Sequence, residues 1–252
     1  MRYEKKKSII LPMRYAIFGD IHGNLEAFET VLEHAASQQC ESYVCLGDIV
    51  GYGGNPVECL EKVREMGCPT VKGNHDEDSA QPGAALNTNP IALKAQEWTY
   101  NMLSEEQREW LLKLRYVRQI DNFTIVHSSL DQPSHWNYVT NKFDAAACFA
   151  YQYTQLCFVG HSHVPQIYIQ DGGVQSHEEY NVNIEDGKKY LINVGSVGQP
   201  RDRDWRASYA IYDSDAGVVN IYRLEYNVEQ TQEKIYKAGL PPALAERLAV
   251  GS

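Results

Sequence analysis

The chain has 252 residues, 43% hydrophobic and 22% charged, long enough and apolar enough to bury a core in water. A formal net charge of −10 argues against a general nucleic-acid binder or an anionic-membrane partner. No apolar run approaches the length that spans a bilayer. The six cysteines form no CxxC pair, and several lie inside apolar runs such as "YVCLG" and "LCFVG". They read as buried thiols in a reducing compartment, so the cytoplasm is the expected location.

The opening "MRYEKKKSIILPM" is basic, but its apolar stretch is too short for a secretory signal, and "MRY" recurs at Met13. Residues 1–12 are therefore set aside as an N-terminal extension, and 13–252 is read as one domain. "YAIFG" predicts a first strand, ended by Gly19. Asn24 then caps a helix whose Leu25, Phe28, Val31, Leu32 and Ala35 follow the helical period. "YVCLG" is a second strand, and Pro56 opens a second helix that Gly67 ends. "TVKG" reads as a short third strand. The pattern from Pro90 to Leu114 is helical, with Ser104 and Gln107 at capping-box spacing. "FTIV" (123–126) is a strand, 144–156 a helix and "CFVG" another strand. Strands without helices follow, in "QIYIQ", "KYLINVG", "SYAIYD" and "VVNIYRLEY", before a helical tail from about Val228. Alternating β and α followed by a β-rich half predicts an α/β sandwich with two sheets face to face.

Five of these strands end on a metal-competent side chain. Asp20 follows "AIFG", Asp48 "VCLG", Asn74 "TVKG", His127 "FTIV" and His161 "CFVG". Asp and Gly are ordinary turn residues, so a lone "FGDIHGN" carries little. Parallel strands joined by right-handed crossovers, however, bring their carboxyl ends to one edge, where such residues converge. The converging set is Asp20, His22, Asp48, Asn74, His75, His127, His161 and His163. Imidazole, carboxylate and amide oxygen without thiolate suit Mn²⁺, Fe or Zn²⁺ better than Ca²⁺ or an iron–sulfur cluster. There are too many donors for one four-coordinate ion, and two ions sharing a carboxylate fit better.

"DIHGN", "GDIVGYG", "GNHDE", the lone His127 and "GHSHV", in that order, resemble the signature of the calcineurin-like metallophosphoesterase superfamily. The resemblance implies a four-layer α/β architecture, a double β-sandwich of two mixed sheets flanked by helices, with two metals at the strand ends. It implies metal-dependent hydrolysis of phosphate esters by a metal-activated hydroxide. One ion would take Asp20, His22 and His163, the other Asn74, His127 and His161, with Asp48 bridging. Mn²⁺ is the expected metal, with Fe or Zn²⁺ as alternatives. His75 then falls beside the substrate as candidate general acid. Two divalent ions against two carboxylates leave about +2, which explains how an acidic chain holds phosphate. Asp76 either orients the His75 imidazole or is an ordinary carboxylate at a helix start.

Outside the signature, His34 is expected at the surface of the first helix. His135 either borders the substrate or is a loop histidine, and His177 is unassigned. "GYGGNP" either approaches a ligand or is a turn before Pro56. In "NVGSVGQPRDRDWRAS" (193–208), small residues precede Arg201, Arg203 and Arg206. Ser196, Arg201 and Arg206 are candidate phosphate binders; the alternative is a solvated hairpin whose arginines pair with Asp202 and Asp204. The segment resembles one in a bacterial subgroup that begins Asn-Pro-Gly-Ser, with Val194 in place of the proline. The expected substrate is a small phosphodiester or a dinucleoside polyphosphate, ahead of a phosphomonoester or a phosphoprotein. A non-catalytic, protein-binding scaffold on the same fold is the rival reading.

Overall fold

Two mixed sheets carry the chain in the computed structural model, which describes residues 13–81 and 89–252. The extension read at 1–12 lies outside these residues. In chain order the elements are β1 (Arg14–Phe18), α1 (Leu25–Ser37), β2 (Ser42–Cys45), α2 (Pro56–Met66), α3 (Asn74–Asp78), α4 (Pro90–Met102) and α5 (Glu105–Lys113). Then come β3 (Val117–Ile120), β4 (Phe123–Val126), α6 (Lys142–Ala150), β5 (Leu156–Val159), β6 (Gln166–Asp171), β7 (Gly173–His177) and β8 (Asn181–Asn183). The chain ends with β9 (Lys189–Asn193), β10 (Ala207–Asp213), β11 (Val218–Leu224), α7 (Val228–Lys237) and α8 (Pro242–Glu246). One sheet has the order β2-β1-β10-β11-β8, the other β3-β4-β5-β9-β6-β7. β1 and β2 are parallel, as are β4, β5 and β9, and the remaining pairs are antiparallel.

The alternation of side chains along each strand explains why these strands read as unbroken apolar runs. Tyr15 and Ile17 of β1 point between the sheets, where they meet Phe123, Ile125, Phe158, Ile192 and Tyr212. Ala16 and Phe18 point the other way, onto Phe28 and Val31 of α1 and Leu60 of α2. On the far sheet, Val126, Cys157 and Val159 face Ala145, Cys148 and Phe149 of α6. The result is helix, sheet, sheet, helix, the expected four layers. All six cysteines are free thiols. No helix among the described residues is long and apolar enough to cross a membrane.

Several local expectations change. "TVKG" forms only isolated bridges, Thr70 to Cys45 and Val71 to Arg115, and not a strand. The 90–114 pattern is two helices. Ser104 ends the first run by capping α5 in a reciprocal box with Gln107, with bonds of 3.2 and 2.8 Å. The helix expected at 144–156 runs from Lys142 to Ala150, capped by Asn141. The ligand-bearing strands do not share one parallel sheet: β1 and β2 lie in one, β4 and β5 in the other. Their carboxyl ends meet at one end of the sandwich.

Candidate metal centre

At the ends of β1, β2 and β5 the backbone turns sharply. Asp20, His22, Asp48, His161 and His163 have φ of 50°, 49°, 51°, 66° and 59°. Left-handed backbone disfavours residues with a Cβ by about 1–2 kcal/mol each, and such outliers cluster at functional sites. The turns let Asp20 N and His22 N donate to the carbonyls of Gly47 and Asp48, both at 2.9 Å. The loops after β1 and β2 are thereby laced together.

Two groups of buried donors result. Asp20, His22, Asp48 and His163 form one; Asp48, His127 and His161 form the other, with the donor atoms of each group within 4.8 Å of one another. Asp48 belongs to both. Its Oδ1 accepts from His75 N at 2.8 Å. Its Oδ2 has no hydrogen-bond partner and lies 3.3 Å from His127 Nε2 and 3.6 Å from His22 Nε2. Asn74, the first residue of α3, carries a buried Oδ1 that is likewise unpartnered.

Each imidazole is held from behind by a backbone carbonyl. His22 Nδ1 donates to Val50 O (3.1 Å), His127 Nδ1 to Leu46 O (2.8 Å), His163 Nδ1 to Gln199 O (2.6 Å) and His161 Nε2 to Trp136 O (2.9 Å). That bond fixes the ring, so in His22, His161 and His163 the opposite nitrogen turns a lone pair into the centre, and in His127 it does so once its proton leaves. His22 Nε2 and His163 Nε2 end 3.2 Å apart, lone pair against lone pair. Buried acceptors facing one another without a donor are unfavourable by about 1–3 kcal/mol each, and a cation between them removes the conflict. The residues present therefore fit divalent ions, and nitrogen and oxygen donors without thiolate define the class.

The charges are balanced against one another. Burial opposes ionisation of Asp48, but His127, His75 and His22 around it hold its carboxyl well below the usual range. Burial would lower His127, yet the Asp48 carboxylate raises it to about 9. An ion taking His127 Nε2 must displace that proton. His161 is pushed down to about 3 by burial and by His127.

His75 belongs to neither donor group. Its ring is buried, with Nδ1 unpartnered, against Tyr52 (centroids 4.3 Å apart) and edge-on to His22 (4.9 Å). The Gly-rich loop after Asp48 does approach the site, with Gly51 close over the His75 ring. Asp76 does not orient that ring. Its carboxylate accepts from Asp48 N and Ile49 N (both 2.8 Å) and from Gly73 N (3.1 Å), and so braces the Asp48 turn. Ser196 is also corrected. Fully buried, its hydroxyl donates to Asp20 O and accepts from Gln199 N, both at 2.8 Å, which leaves it as a strut for the Asp20 turn rather than a phosphate ligand.

The arginines divide. Arg206 forks onto Asp204, at 2.7 to 3.2 Å, and Arg223 ties Asp202 and Asp204 together beneath it. Arg206 is the paired hairpin residue, not a phosphate clamp. Arg206→Ala should leave catalysis at the parent rate and cost about 0.5–1 kcal/mol of stability, read from a denaturation midpoint. The Asp204 carboxyl is held down to about 2, first by its bonds from Arg206. A depressed carboxyl contributes fully above its unfolded value of about 3.9, and the contribution is lost as pH falls through about 2. The deficit of the variant should therefore fade below that pH. Arg201 instead lies against the Tyr52 ring, and burial first, with the Arg201 charge adding to it, lowers the imidazoles of His22, His75 and His163.

Other histidines sort simply. His34 is not a free surface residue: its Nδ1 lies 2.6 Å from Tyr209 Oη, between Tyr209 and Tyr222. His135 is exposed on a short 3-10 turn, and His177 Nε2 meets Asn181 O on an edge strand. The sequence reading missed Tyr138, stacked on His161 at 4.1 Å, and Tyr52, whose ring touches both His22 and His75. Tyr52 lies within "GDIVGYG", where the glycines and Asp48 drew the attention, and Tyr138 lies outside every motif.

Comparison with known proteins agrees with this geometry. Residues 13–217 match the calcineurin-like phosphoesterase superfamily domain. The crystal structure of a metallophosphoesterase from Sphaerobacter thermophilus has a TM-score of 0.86 at 40% sequence identity, covering 96% of this chain and 100% of that one. An uncharacterized protein of Methanocaldococcus jannaschii is 38% identical over 240 residues, 94% of this chain and 97% of its own. A symmetrical bis(5'-nucleosyl)-tetraphosphatase of Glaesserella parasuis is 28% identical over 133 residues, 49% of this chain and 47% of its own. The chain belongs to the calcineurin-like phosphoesterase superfamily and is a metallophosphoesterase.

Proposed function

We propose that the chain hydrolyses small phosphodiesters or dinucleoside polyphosphates, in the cytoplasm, with two divalent ions, Mn²⁺ first and Fe or Zn²⁺ as alternatives. The observation that carries this reading is the unpartnered Asp48 Oδ2, facing an imidazole nitrogen of each donor group. Asp20, His22 and His163 would hold one ion, Asn74, His127 and His161 the other, and Asp48 both. When bound, the pair supplies Lewis acidity and positive charge to a phosphate in a site about +2 by formal count. The backbone carbonyls behind His22, His127, His161 and His163 keep the donor nitrogens aimed, so little reorganisation accompanies binding. His75, outside the donor groups, protonates the departing alkoxide. Burial pushes its pKa down to about 4, and the negative charge of a bound phosphate acts in the opposite direction. The tetraphosphatase of Glaesserella parasuis supports the nucleotide-type substrate, and the intact donor set speaks against a scaffold.

The test is hydrolysis by the purified protein with added Mn²⁺. Bis(p-nitrophenyl) phosphate and diadenosine tetraphosphate should be cleaved, chelator should stop both reactions and Mn²⁺ should restore them. Turnover of phosphomonoesters alone would overturn the substrate class, and no turnover of any ester would leave the scaffold reading.

A further expected outcome concerns Gly160. A Cβ there would overlap Asp20 Oδ2, and one at Gly73 would overlap Asp48 Oδ1. Gly160→Ala should therefore lower metal occupancy although no donor is touched, and cost about 1–3 kcal/mol of stability through crowding. Metal content after dialysis against limiting Mn²⁺ reads the first effect and thermal melting the second.

A further inference from the structure

Beside His22 and His75, on the far side of Tyr52, lies a cavity of ≈330 Å³ lined by Tyr52, Asn89, Ile91, Ala92, Ala243, Leu244 and Arg247. That is within the range that holds drug-sized ligands, and its walls mix apolar side chains with the polar groups of Asn89 and Arg247. Tyr52 joins it to the metal centre, since the same ring packs at 4.8 Å from His22 and 4.3 Å from His75. Tyr52 itself holds a left-handed backbone, φ 61°, the kind of conformation that collects at working sites.

Two guanidinium groups flank this ring. Arg201 sits with Cζ 5.8 Å from the Tyr52 centroid, and Arg247 lines the cavity. Arg201 donates to Gln199 Oε1 at 2.8 Å, but its Nε is buried with no partner. Arg247 donates Nε to Ser252 O. Among the described residues, no Asp or Glu carboxylate lies within ion-pairing distance of either arginine. Arg201 thus keeps one buried donor free in a chain of net charge −10. Burial first, and then the like charge of Arg201, lower the Arg247 pKa. An anion between them would relieve that repulsion and satisfy Arg201 Nε. Arg247 also lies outside residues 13–217, so nothing in the superfamily match assigns it.

We propose that Arg201 and Arg247 form a second phosphate subsite and that the adjoining cavity takes the planar base of a nucleoside. The ligand class is a dinucleoside polyphosphate, one bridging phosphate at the metal centre and the next one between the arginines. The apolar side of Ile91, Ala92 and Leu244 suits a base face, and Tyr52 separates the base from the reacting phosphate. This assignment rests on the phosphoesterase reading above, which places the first phosphate at the ions.

Calorimetry on the Mn²⁺-loaded full chain tests it with two probes that resist hydrolysis, α,β-methylene-ADP and methylenebisphosphonate. Arg247→Ala should weaken both by about ten- to hundredfold, as expected for loss of a charge-assisted hydrogen bond. Arg247→Lys keeps the charge without the fork and should fall between the two. Ala243→Trp, which fills the cavity from an exposed position, should weaken the nucleotide about tenfold or more and leave the bisphosphonate as in the parent. Wild-type affinity of both arginine variants for the bisphosphonate would overturn the phosphate subsite. Wild-type affinity of Ala243→Trp for the nucleotide would overturn the base site. Failure of the underlying reading is distinguishable, because the unmodified protein would then leave bis(p-nitrophenyl) phosphate intact.

Discussion

Asp48→Asn is expected to lower bound metal from two ions per chain to fewer than one and to reduce kcat/KM by roughly 10³-fold or more. The amide keeps the shape of the carboxylate and can still accept the 2.8 Å bond from His75 N through its oxygen. What changes is the atom at Oδ2, which becomes an N–H donor aimed at His127 Nε2 and His22 Nε2. A donor there suits the His22 lone pair, but it repels a cation and also the proton that metal-free His127 keeps on Nε2. The metal-free variant should therefore melt lower than the metal-free parent wherever His127 is charged in the parent, while both ions are lost together. Asn74→Ala should instead empty mainly the ion shared by His127 and His161. Two ions fully retained in Asp48→Asn would remove the bridging role.

His75→Ala is expected to retain both ions and lose roughly 10²–10⁴-fold in kcat. The loss should shrink for substrates that expel nitrophenolate, which departs without a proton. The pH profile adds an independent reading. A general acid must be protonated to act, so the parent should lose activity as pH rises through the His75 value in the substrate complex. That alkaline limb should be absent from the variant. An equal loss across leaving groups, with the limb unchanged, would assign His75 to substrate positioning through its packing on Tyr52.

The sequence made the donors legible because each is a side chain with its own chemistry, placed after an apolar strand. Six of the seven named donors, all but Asn74, fall into the two groups, and Asn74 contributes an orphan oxygen beside them. The carbonyls of Leu46, Val50, Trp136 and Gln199 that aim the imidazoles could not be read, because every residue has one and only the fold selects it. Strands β3, β7 and β8 escaped for a related reason. They are edge or terminal strands with exposed, polar residues, so no alternation marks them. Asp76 reads as a partner for His75 and Ser196 as a phosphate binder because a carboxylate or hydroxyl near a motif looks reactive. Folding consumes both in bonds to backbone at Asp48 and Asp20. The three arginines were indistinguishable on paper, and only the neighbouring Asp204 and Tyr52 separate Arg206 from Arg201.

The left-handed backbone at Asp20, His22, Asp48, His161 and His163 bears on how this protein would evolve under different selection. Glycine would adopt the same φ without penalty at all five positions, yet none carries it. Laboratory selection for thermal persistence alone, in chelator and with no demand for turnover, should therefore drift these positions toward glycine or asparagine. Each such change should stabilise the metal-free fold by a few tenths to about 1 kcal/mol where no backbone bond to the side chain is lost. His22 and His163 are the freest to drift, since their side chains brace the backbone only through Val50 O and Gln199 O. Asp20 and Asp48 accept backbone N–H bonds from His161 and His75, and should resist longest.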